Sequence, residues 1–171
     1  MKTSNVTIRL LENNDIPEIA HAFRELGWNK PASQYTHYLV EQVLELRDVY
    51  IVFLDGIFAG YLTICWKSGY KPFHDRSIPE IVDFNVLPRF RRLGIGTQLM
   101  DKAESEIAVV SHVAGIGVGI TADYGAAQRL YILRGYIPDG LGLHWKNHHV
   151  QHGEQVTADD DLALYLMKEL I

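Results

Sequence analysis

A strand, a glycine-bearing loop and a helix are encoded without interruption in IPEIVDFNVLPRFRRLGIGTQLM, residues 78–100. The strand-like run leads through a proline-containing turn into a helical periodicity carried by Ile95, Leu99, Ala103 and Ile107. Such a passage directs several backbone N–H groups at one spot, where the helix dipole adds partial positive charge. The segment therefore predicts a binding site for an anion.

The spacing of the glycines narrows the choice of anion. Gly94 and Gly96 are followed by Leu99, where a dinucleotide-binding fingerprint places its third glycine. No Lys-Ser or Lys-Thr pair follows them, although the phosphate-binding loop of ATP-binding proteins needs one. NAD and ATP are therefore poor fits, while Arg91 and Arg92 are suited to bond phosphate oxygens.

The rest of the chain alternates strand-like and helix-like patterns. Asp55-Gly56 predicts a hairpin, and Asp15 is predicted to cap the first helix. The apolar run VAGIGVGI, residues 113–120, is typical of a central strand buried on both faces. Other patterns predict a strand at 6–10, helices at 16–27, 33–46 and 125–134, a polar turn at 67–77, and strands at 137–150 and 162–167. No repeat or linker divides the chain, so we expect one mixed α/β domain.

Two motifs resemble a known family. Arg91, Gly94 and Gly96 form R-x-x-G-x-G after a strand. Downstream, AAQRLYILRGYIP matches A-x-x-L-Y-x-x-x-G-F/Y through Ala127, Leu130, Tyr131, Gly135 and Tyr136. With the order of elements, these motifs resemble the GNAT superfamily of N-acetyltransferases. The resemblance implies a single domain over residues 1–171, with a mixed, largely antiparallel sheet whose two parallel central strands splay apart between flanking helices.

The resemblance also implies roles for individual residues, with acetyl-CoA as the co-substrate. The backbone of Phe84, Asn85 and Val86 would pair with the acetyl-pantetheine arm. The pyrophosphate would be surrounded by Arg91, Arg92, Leu93, Gly94, Ile95, Gly96 and Thr97. Tyr131 would lie near the thioester sulfur, and Glu80 stands where histone-type members keep a glutamate base.

The expected reaction moves acetyl from acetyl-CoA to a primary amine of a small molecule or peptide, by direct attack in a ternary complex. Glu80 is a candidate general base and Tyr131 a candidate acid for the departing thiolate. Strand alternation places Glu80 and Asp83 on opposite faces, which disfavours a paired-carboxylate mechanism. The alternatives for the residues are a solvated Glu80 and a purely packing Tyr131. The alternatives for the protein are a non-catalytic acyl-CoA-binding sensor or regulatory module, and a nucleotide-binding protein that uses the same anion loop.

Two features depart from this interpretation or lie outside it. Tyr124 stands where the superfamily often has an asparagine, seven residues before the helical tyrosine. Four histidines crowd the tail, but no cysteine joins them and their spacing fits no zinc pattern, so we expect no metal. Histidines of the surface or of a substrate pocket remain the alternatives for His144, His148, His149 and His152.

Composition limits the partners. The formal net charge is -5 without a basic block, so nucleic acid is not an expected partner. No apolar run approaches the roughly 20 residues of a membrane span. A single cysteine, Cys65, fits the reducing cytoplasm. The acceptor amine stays open between polyamines, aminoglycosides, amino acids and protein N-termini, and a homodimer through the last strands is an expectation from the resemblance.

Overall fold

The computed structural model describes residues 5–146 and 148–171. Its helices are α1 (Ile16–Glu25), α2 (Ala32–Val43), α3 (Lys71–Asp75), α4 (Ile95–Ala108) and α5 (Gly125–Leu133). Its strands are β1 (Val6–Leu10), β2 (Arg47–Leu54), β3 (Ile57–Cys65), β4 (Glu80–Val86), β5 (Val113–Gly119), β6 (Ile137–Trp145), β7 (His148–His149) and β8 (Leu162–Glu169).

The strands form a mixed sheet in the order β1-β2-β3-β4-β5-β8-β6-β7. The β1–β2, β2–β3, β5–β8, β6–β8 and β6–β7 pairs are antiparallel. The β4–β5 pair is parallel, and its ladder joins the first two residues of β4, Glu80 and Ile81, to Gly115 and Ile116 in the middle of β5. The predicted fold class, a largely antiparallel sheet with a central parallel pair and flanking helices, is confirmed.

Some predicted elements differ in their bounds. The stretch predicted as a polar turn contains α3. Its Pro72 lies in the first turn of the helix, where proline is tolerated. The single strand predicted at 137–150 is divided into β6 and β7, and Lys146 between them has a φ of 44°. The second predicted helix ends at Val43, two residues before Glu45, whose φ is 58°.

The predicted cap of α1 is wrong. The Asp15 side chain does not cap the helix but accepts hydrogen bonds from both terminal nitrogens of Arg9, at 2.8 and 2.7 Å. It also accepts one from the Glu12 backbone N–H at 2.8 Å. Asp15 ends a 3-10 turn and already has helical backbone angles, φ −80° and ψ −24°, whereas a capping residue has non-helical ones.

The chain divides into two compact units. Unit 1 comprises the described residues up to Trp66 together with Val82–Glu106. Its core contains the ring of Phe23 on α1, which lies 5.8–6.4 Å, centroid to centroid, from three other buried rings. Those rings belong to Tyr35 of α2 and to Phe58 and Tyr61 of β3. The buried side of α1, which carries Phe23, thus packs against β3 and holds the helix in position.

Unit 2 comprises Lys67–Ile81 and Ile107–Ile171. Alternate residues of β5 are glycines, and alternate residues of a strand share one face. Aromatic rings take the room that side chains would fill there, because a Cβ would come within 2.3–3.0 Å of a ring atom at each glycine. The pairs are Phe73 over Gly115, Tyr165 over Gly117 and Tyr124 over Gly119. These aromatic contacts explain why the sequence alternates glycine in this largely buried strand.

Candidate active site

The predicted anion loop lies in unit 1, between β4 and α4. A 3-10 turn over Pro88–Phe90 follows β4, and then Arg92 and Gly94 have φ angles of 62° and 76°. Left-handed residues in such a turn aim successive N–H groups to one side, as in an anion-binding nest. Helix α4 follows, with the Gln98 N–H bonded to the Gly94 carbonyl at 3.1 Å. The N–H groups of its first turn precede any intrahelical acceptor and are directed outward.

The loop side chains are mostly exposed. Arg91, Arg92, Leu93 and Thr97 are exposed to solvent, whereas Ile95 is buried in the core. Arg91 Nε donates to the Val86 carbonyl at 3.1 Å. Its guanidinium carbon lies 6.0 Å from the Trp28 ring centroid, within cation–π range. Arg91 is therefore oriented along the end of β4, while its charge stays near the nest.

Two glycines let neighbouring elements approach β4 closely. A Cβ on Gly96 would lie 3.2 Å from the Phe84 ring and 3.7 Å from a Val86 methyl, so glycine permits the contact of α4 with β4. A Cβ on Gly60 of β3 would lie 2.4 Å from the Asn85 carbonyl oxygen. The structure therefore brings the predicted pantetheine segment, 84–86, together with the predicted pyrophosphate loop, 91–97.

Asp83 is the centre of a hydrogen-bond network that the sequence did not reveal. Its φ of 56° kinks β4 one residue before Phe84. The carboxylate accepts five hydrogen bonds, from Lys30 Nζ, Gln34 Nε2, Tyr38 OH, Tyr61 OH and Asn85 Nδ2. Four donors come from 22 to 53 residues away in the chain, and no local pattern signals such a set.

The charge of Asp83 is stabilised by this network. Burial by itself would raise the pKa of the carboxyl, but the Lys30 ammonium and the hydrogen bonds from Lys30, Tyr61 and Tyr38 outweigh it and lower the pKa. A carboxylate with a lowered pKa and five donors is a poor proton acceptor. Asp83 therefore holds the shape of β4 and is unsuited to the role of general base.

Glu80 lies in unit 2, at the start of β4. Its side chain is buried, with 8% of the residue exposed, so it is not the solvated strand-end glutamate of the alternative interpretation. Its Oε2 accepts a hydrogen bond from the buried Ser68 hydroxyl. Ser68 had no sequence signal of its own. The ladder places Glu80 opposite Gly115, so its side chain shares the glycine face of β5.

Tyr131, on α5 in unit 2, is buried with 5% exposed. Its ring centroid lies 6.1 Å from that of Tyr136. Burial, with a smaller effect of Tyr124, raises the pKa of its phenol, so the group stays protonated at neutral pH. No hydrogen bond to its hydroxyl is formed by the part of the chain that the structure describes. A buried phenol that stays protonated can donate a hydrogen bond to an atom of a bound ligand.

Tyr124, which stands where the family often has an asparagine, packs over the last residue of β5. Its ring covers Gly119, and its hydroxyl donates to Asp160 Oδ1 at 2.7 Å. Burial, followed by this bond, raises the pKa of Tyr124 to about 12. Gln128 Nε2 donates to the Gly119 carbonyl at 2.8 Å. Tyr124 thus connects the start of α5 to Asp160, in the segment before β8. An asparagine at position 124 would be too short to reach Asp160.

The tail histidines do not act as one group. His148 bonds Glu154 at 2.7 Å on the surface, and His152 is exposed. His144 and His149 pack against each other, with ring centroids 5.4 Å apart. Among residues 5–146 and 148–171, no group of three or more His, Cys, Asp or Glu could hold a metal ion. No helix in the described ranges is long and apolar enough to cross a membrane.

Comparison with known proteins gives the family. The sequence model of the Acetyltransferase (GNAT) family matches residues 14–136, more than half of the chain. The chain belongs to the GNAT family of acetyltransferases. Acetyl-CoA as co-substrate fits this family. No curated protein matches the sequence.

Solved structures share the fold at low sequence identity. The structure of yncA from Salmonella typhimurium, with its cofactor acetyl-CoA, has a TM-score of 0.67 and 19% identity, over 97% of this chain and 94% of that one. Ard1 from Thermoplasma volcanium gives 0.70 and 20%, over 97% and 98%. The ribosomal-protein-S18-alanine N-acetyltransferase from Escherichia coli gives 0.68 and 15%, over 97% and 94%. At such identities these structures establish the fold alone.

Proposed function

We infer that the protein is an N-acetyltransferase that moves the acetyl group of acetyl-CoA to a primary amine in a ternary complex. The observation that carries the proposal is the nest at the start of α4, in a chain of the acetyltransferase family. A nest of backbone N–H groups suits the pyrophosphate of acetyl-CoA, and yncA, which shares the fold, was solved with that molecule.

Binding of acetyl-CoA would use the loop between β4 and α4 and the end of β4. The N–H groups of residues 91–97 would bond the pyrophosphate oxygens, and the Arg92 guanidinium would add charge-assisted bonds. The strand segment Phe84–Val86 would pair with the pantetheine amides through its backbone. An N–H of that segment would stabilise the tetrahedral oxyanion.

The transfer would use Glu80 and Tyr131, in the roles that the family resemblance implies. The ammonium of the acceptor loses a proton to Glu80, directly or through water, and the free amine then attacks the thioester carbonyl carbon. The C–N bond forms and the C–S bond breaks, and the thiolate receives the phenol proton of Tyr131. The nitrogen of the new amide gives up its second proton through water, and this proton returns the tyrosinate to the phenol. The buried phenol supports this role because it stays protonated and has no other partner among the described residues.

We also propose the domain organisation, the compartment and the assembly of the protein. We expect a single functional domain over residues 1–171, acting in the cytoplasm on a small-molecule or peptide amine without nucleic acid. The single Cys65 supports a reducing compartment. A homodimer is the expected assembly, and light scattering in solution measures it.

A thiol-release assay with a panel of amines tests the transferase. We expect free CoA to appear only when an amine is present. Tyr131→Phe should lower kcat at least tenfold with the melting temperature unchanged, because the described residues make no hydrogen bond that it would remove. Glu80→Gln should lower kcat and remove the acidic limb of the pH–rate profile, because a general base must be unprotonated to act. Exposed Glu154→Gln serves as the control. Tight acetyl-CoA binding without turnover on any amine would leave a sensor module instead.

A further inference from the structure

The glycine face of β5 carries a cluster of aromatic and imidazole rings within unit 2. Tyr70 and Tyr165 stack in parallel with centroids 3.6 Å apart. The His144 ring lies 5.2 Å from Tyr70 and 5.7 Å from Tyr165, edge to face, and His149 lies 6.0 Å from Tyr70. These four residues are called the histidine–tyrosine cluster. Tyr70 is buried, while the other three are half-buried, so the cluster reaches the surface.

One polar atom of this cluster has no hydrogen-bond partner in the described part of the chain. His149 Nδ1 is enclosed, and it has no hydrogen bond among the residues that the structure describes. An enclosed polar atom without a partner costs about 1–3 kcal/mol, so such atoms usually meet a water or a ligand. A neutral imidazole nitrogen can accept a hydrogen bond from an ammonium group. His149 Nδ1 therefore offers a hydrogen-bond position that residues 5–146 and 148–171 leave unused.

The electrostatic surroundings of the cluster are negative. Asp139 Oδ2 accepts a hydrogen bond from the Tyr70 hydroxyl at 2.7 Å, and Glu80 shares the glycine face. Burial raises the pKa of Tyr70 and of Tyr165, and the carboxylates of Asp139 and Glu80 raise both further. Burial and the neighbouring histidines lower the pKa of His144, which keeps that ring uncharged.

Two cations, Lys71 and Arg76, follow Tyr70 in the chain. The Lys71 ammonium is paired with Asp75 at 2.6 Å, whereas the Arg76 guanidinium contacts the uncharged Met167 sulfur at 3.3 Å. A site with two carboxylates and an uncompensated imidazole nitrogen favours a cation. It also disfavours a carboxylate on the ligand, since like charges repel strongly where water is partly excluded.

We propose that the histidine–tyrosine cluster binds the amino end of the acceptor, with His149 Nδ1 as hydrogen-bond acceptor, and that it selects amines without a neighbouring carboxylate. The substrate class is thus an alkyl amine, a polyamine or a lysine side chain rather than the α-amino group of a free amino acid. This inference rests on the proposed transferase activity and names the acceptor of that reaction.

Matched pairs of acceptors test the selection. Each pair consists of an amine and the amino acid that differs from it by one carboxylate: 1,5-diaminopentane and lysine, agmatine and arginine, histamine and histidine. We expect kcat/KM to be at least tenfold higher for the amine of each pair. Asp139→Asn should narrow that preference, because it removes one negative charge while keeping an acceptor oxygen for Tyr70. Equal or faster turnover of the amino acids overturns the proposal.

Variants of His149 separate binding from packing. His149→Asn keeps a hydrogen-bond acceptor near the place of Nδ1 and should keep the acceptor KM within about threefold, whereas His149→Phe should raise it about tenfold. The KM of acetyl-CoA and the melting temperature should stay unchanged in both. Exposed His152→Asn is the control. An acceptor KM that is the same in His149→Phe and the wild type contradicts the assignment.

Calorimetric titration of 1,5-diaminopentane and of lysine into the protein separates this inference from the transferase proposal. Without thiol release from any acceptor, the transferase proposal fails. In that case, binding of the diamine that weakens in His149→Phe upholds the ammonium site, and equal binding of both compounds overturns it.

Discussion

Lys30 Nζ lies 2.7 Å from Asp83 Oδ1 and joins the segment between α1 and α2 to the kinked residue of β4. The ammonium also donates to Tyr61 OH at 3.1 Å and faces the rings of Tyr61 and Phe23, at 5.6 and 5.8 Å. Both side chains of the pair are largely buried, with 18% and 15% exposed. The kink that precedes the proposed acetyl-pantetheine segment is therefore held by an ion pair from a distant part of the chain.

Removal of the lysine charge should destabilise the protein. In Lys30→Met, Asp83 keeps four neutral donors but loses its counter-ion, so we expect the free energy of unfolding to fall by about 2–4 kcal/mol. Urea denaturation measures the change. Lys71→Met, in an exposed pair with Asp75, should leave the stability nearly unchanged. Equal stabilities of the two variants would show that the buried pair contributes nothing.

Acid should weaken the same network. The pKa of folded Asp83 is lowered, so its charge stabilises the fold fully above the unfolded value of about 3.9 and the contribution is lost as the pH falls through the folded value. We expect the free energy of unfolding of the wild type to decrease below about pH 4. Urea titrations between pH 2 and 7 measure it. Asp83→Asn should be less stable at pH 7 and lose part of this slope, and an unaltered slope would contradict the assignment.

The sequence predicted the sheet and the loop far better than the side chains that surround them. The strand at 113–120 could be predicted because a run of apolar residues is a local signal. The rings over its glycines could not, because Phe73, Tyr124 and Tyr165 come from three separate segments. The loop is indicated by spacing within one stretch, and the proposed pantetheine segment by the family resemblance alone. The left-handed φ of Asp83 instead depends on distant donors. Long-range pairing of polar groups leaves no periodic trace in a sequence.

The aromatic cover of β5 predicts a large penalty for one small substitution. In Gly115→Ala, the added Cβ would lie 2.3 Å from Phe73 Cε2, and the ring is part of a buried cluster that cannot move freely. We expect a loss of about 1–3 kcal/mol in the free energy of unfolding, measured by thermal or urea denaturation.

Gly125→Ala is the matched control, since a Cβ there meets no atom within 4 Å and the residue begins α5. We expect that change to be neutral or to stabilise by up to about 1 kcal/mol, because alanine is the better helix former. The double variant Gly115→Ala/Phe73→Leu should lose less than the sum of its single changes, because the shorter side chain removes the clash. Additive losses would show that Phe73 is not the obstacle.

The loop glycine gives the sharpest test of acetyl-CoA binding. Gly94 has a φ of 76° and no atom within 4 Å of an added Cβ, so a side chain there is strained but meets no obstacle. Gly94→Glu places a negative charge in the nest, whereas Gly94→Gln has the same size and the same backbone strain without the charge. Acetyl-CoA at about 100 times its Kd should stabilise the wild type by about 2.7 kcal/mol, which a thermal shift detects. We expect the shift to be reduced in the glutamine variant and absent in the glutamate variant, because a carboxylate repels the pyrophosphate. Equal shifts in two folded variants would mean that the pyrophosphate binds elsewhere.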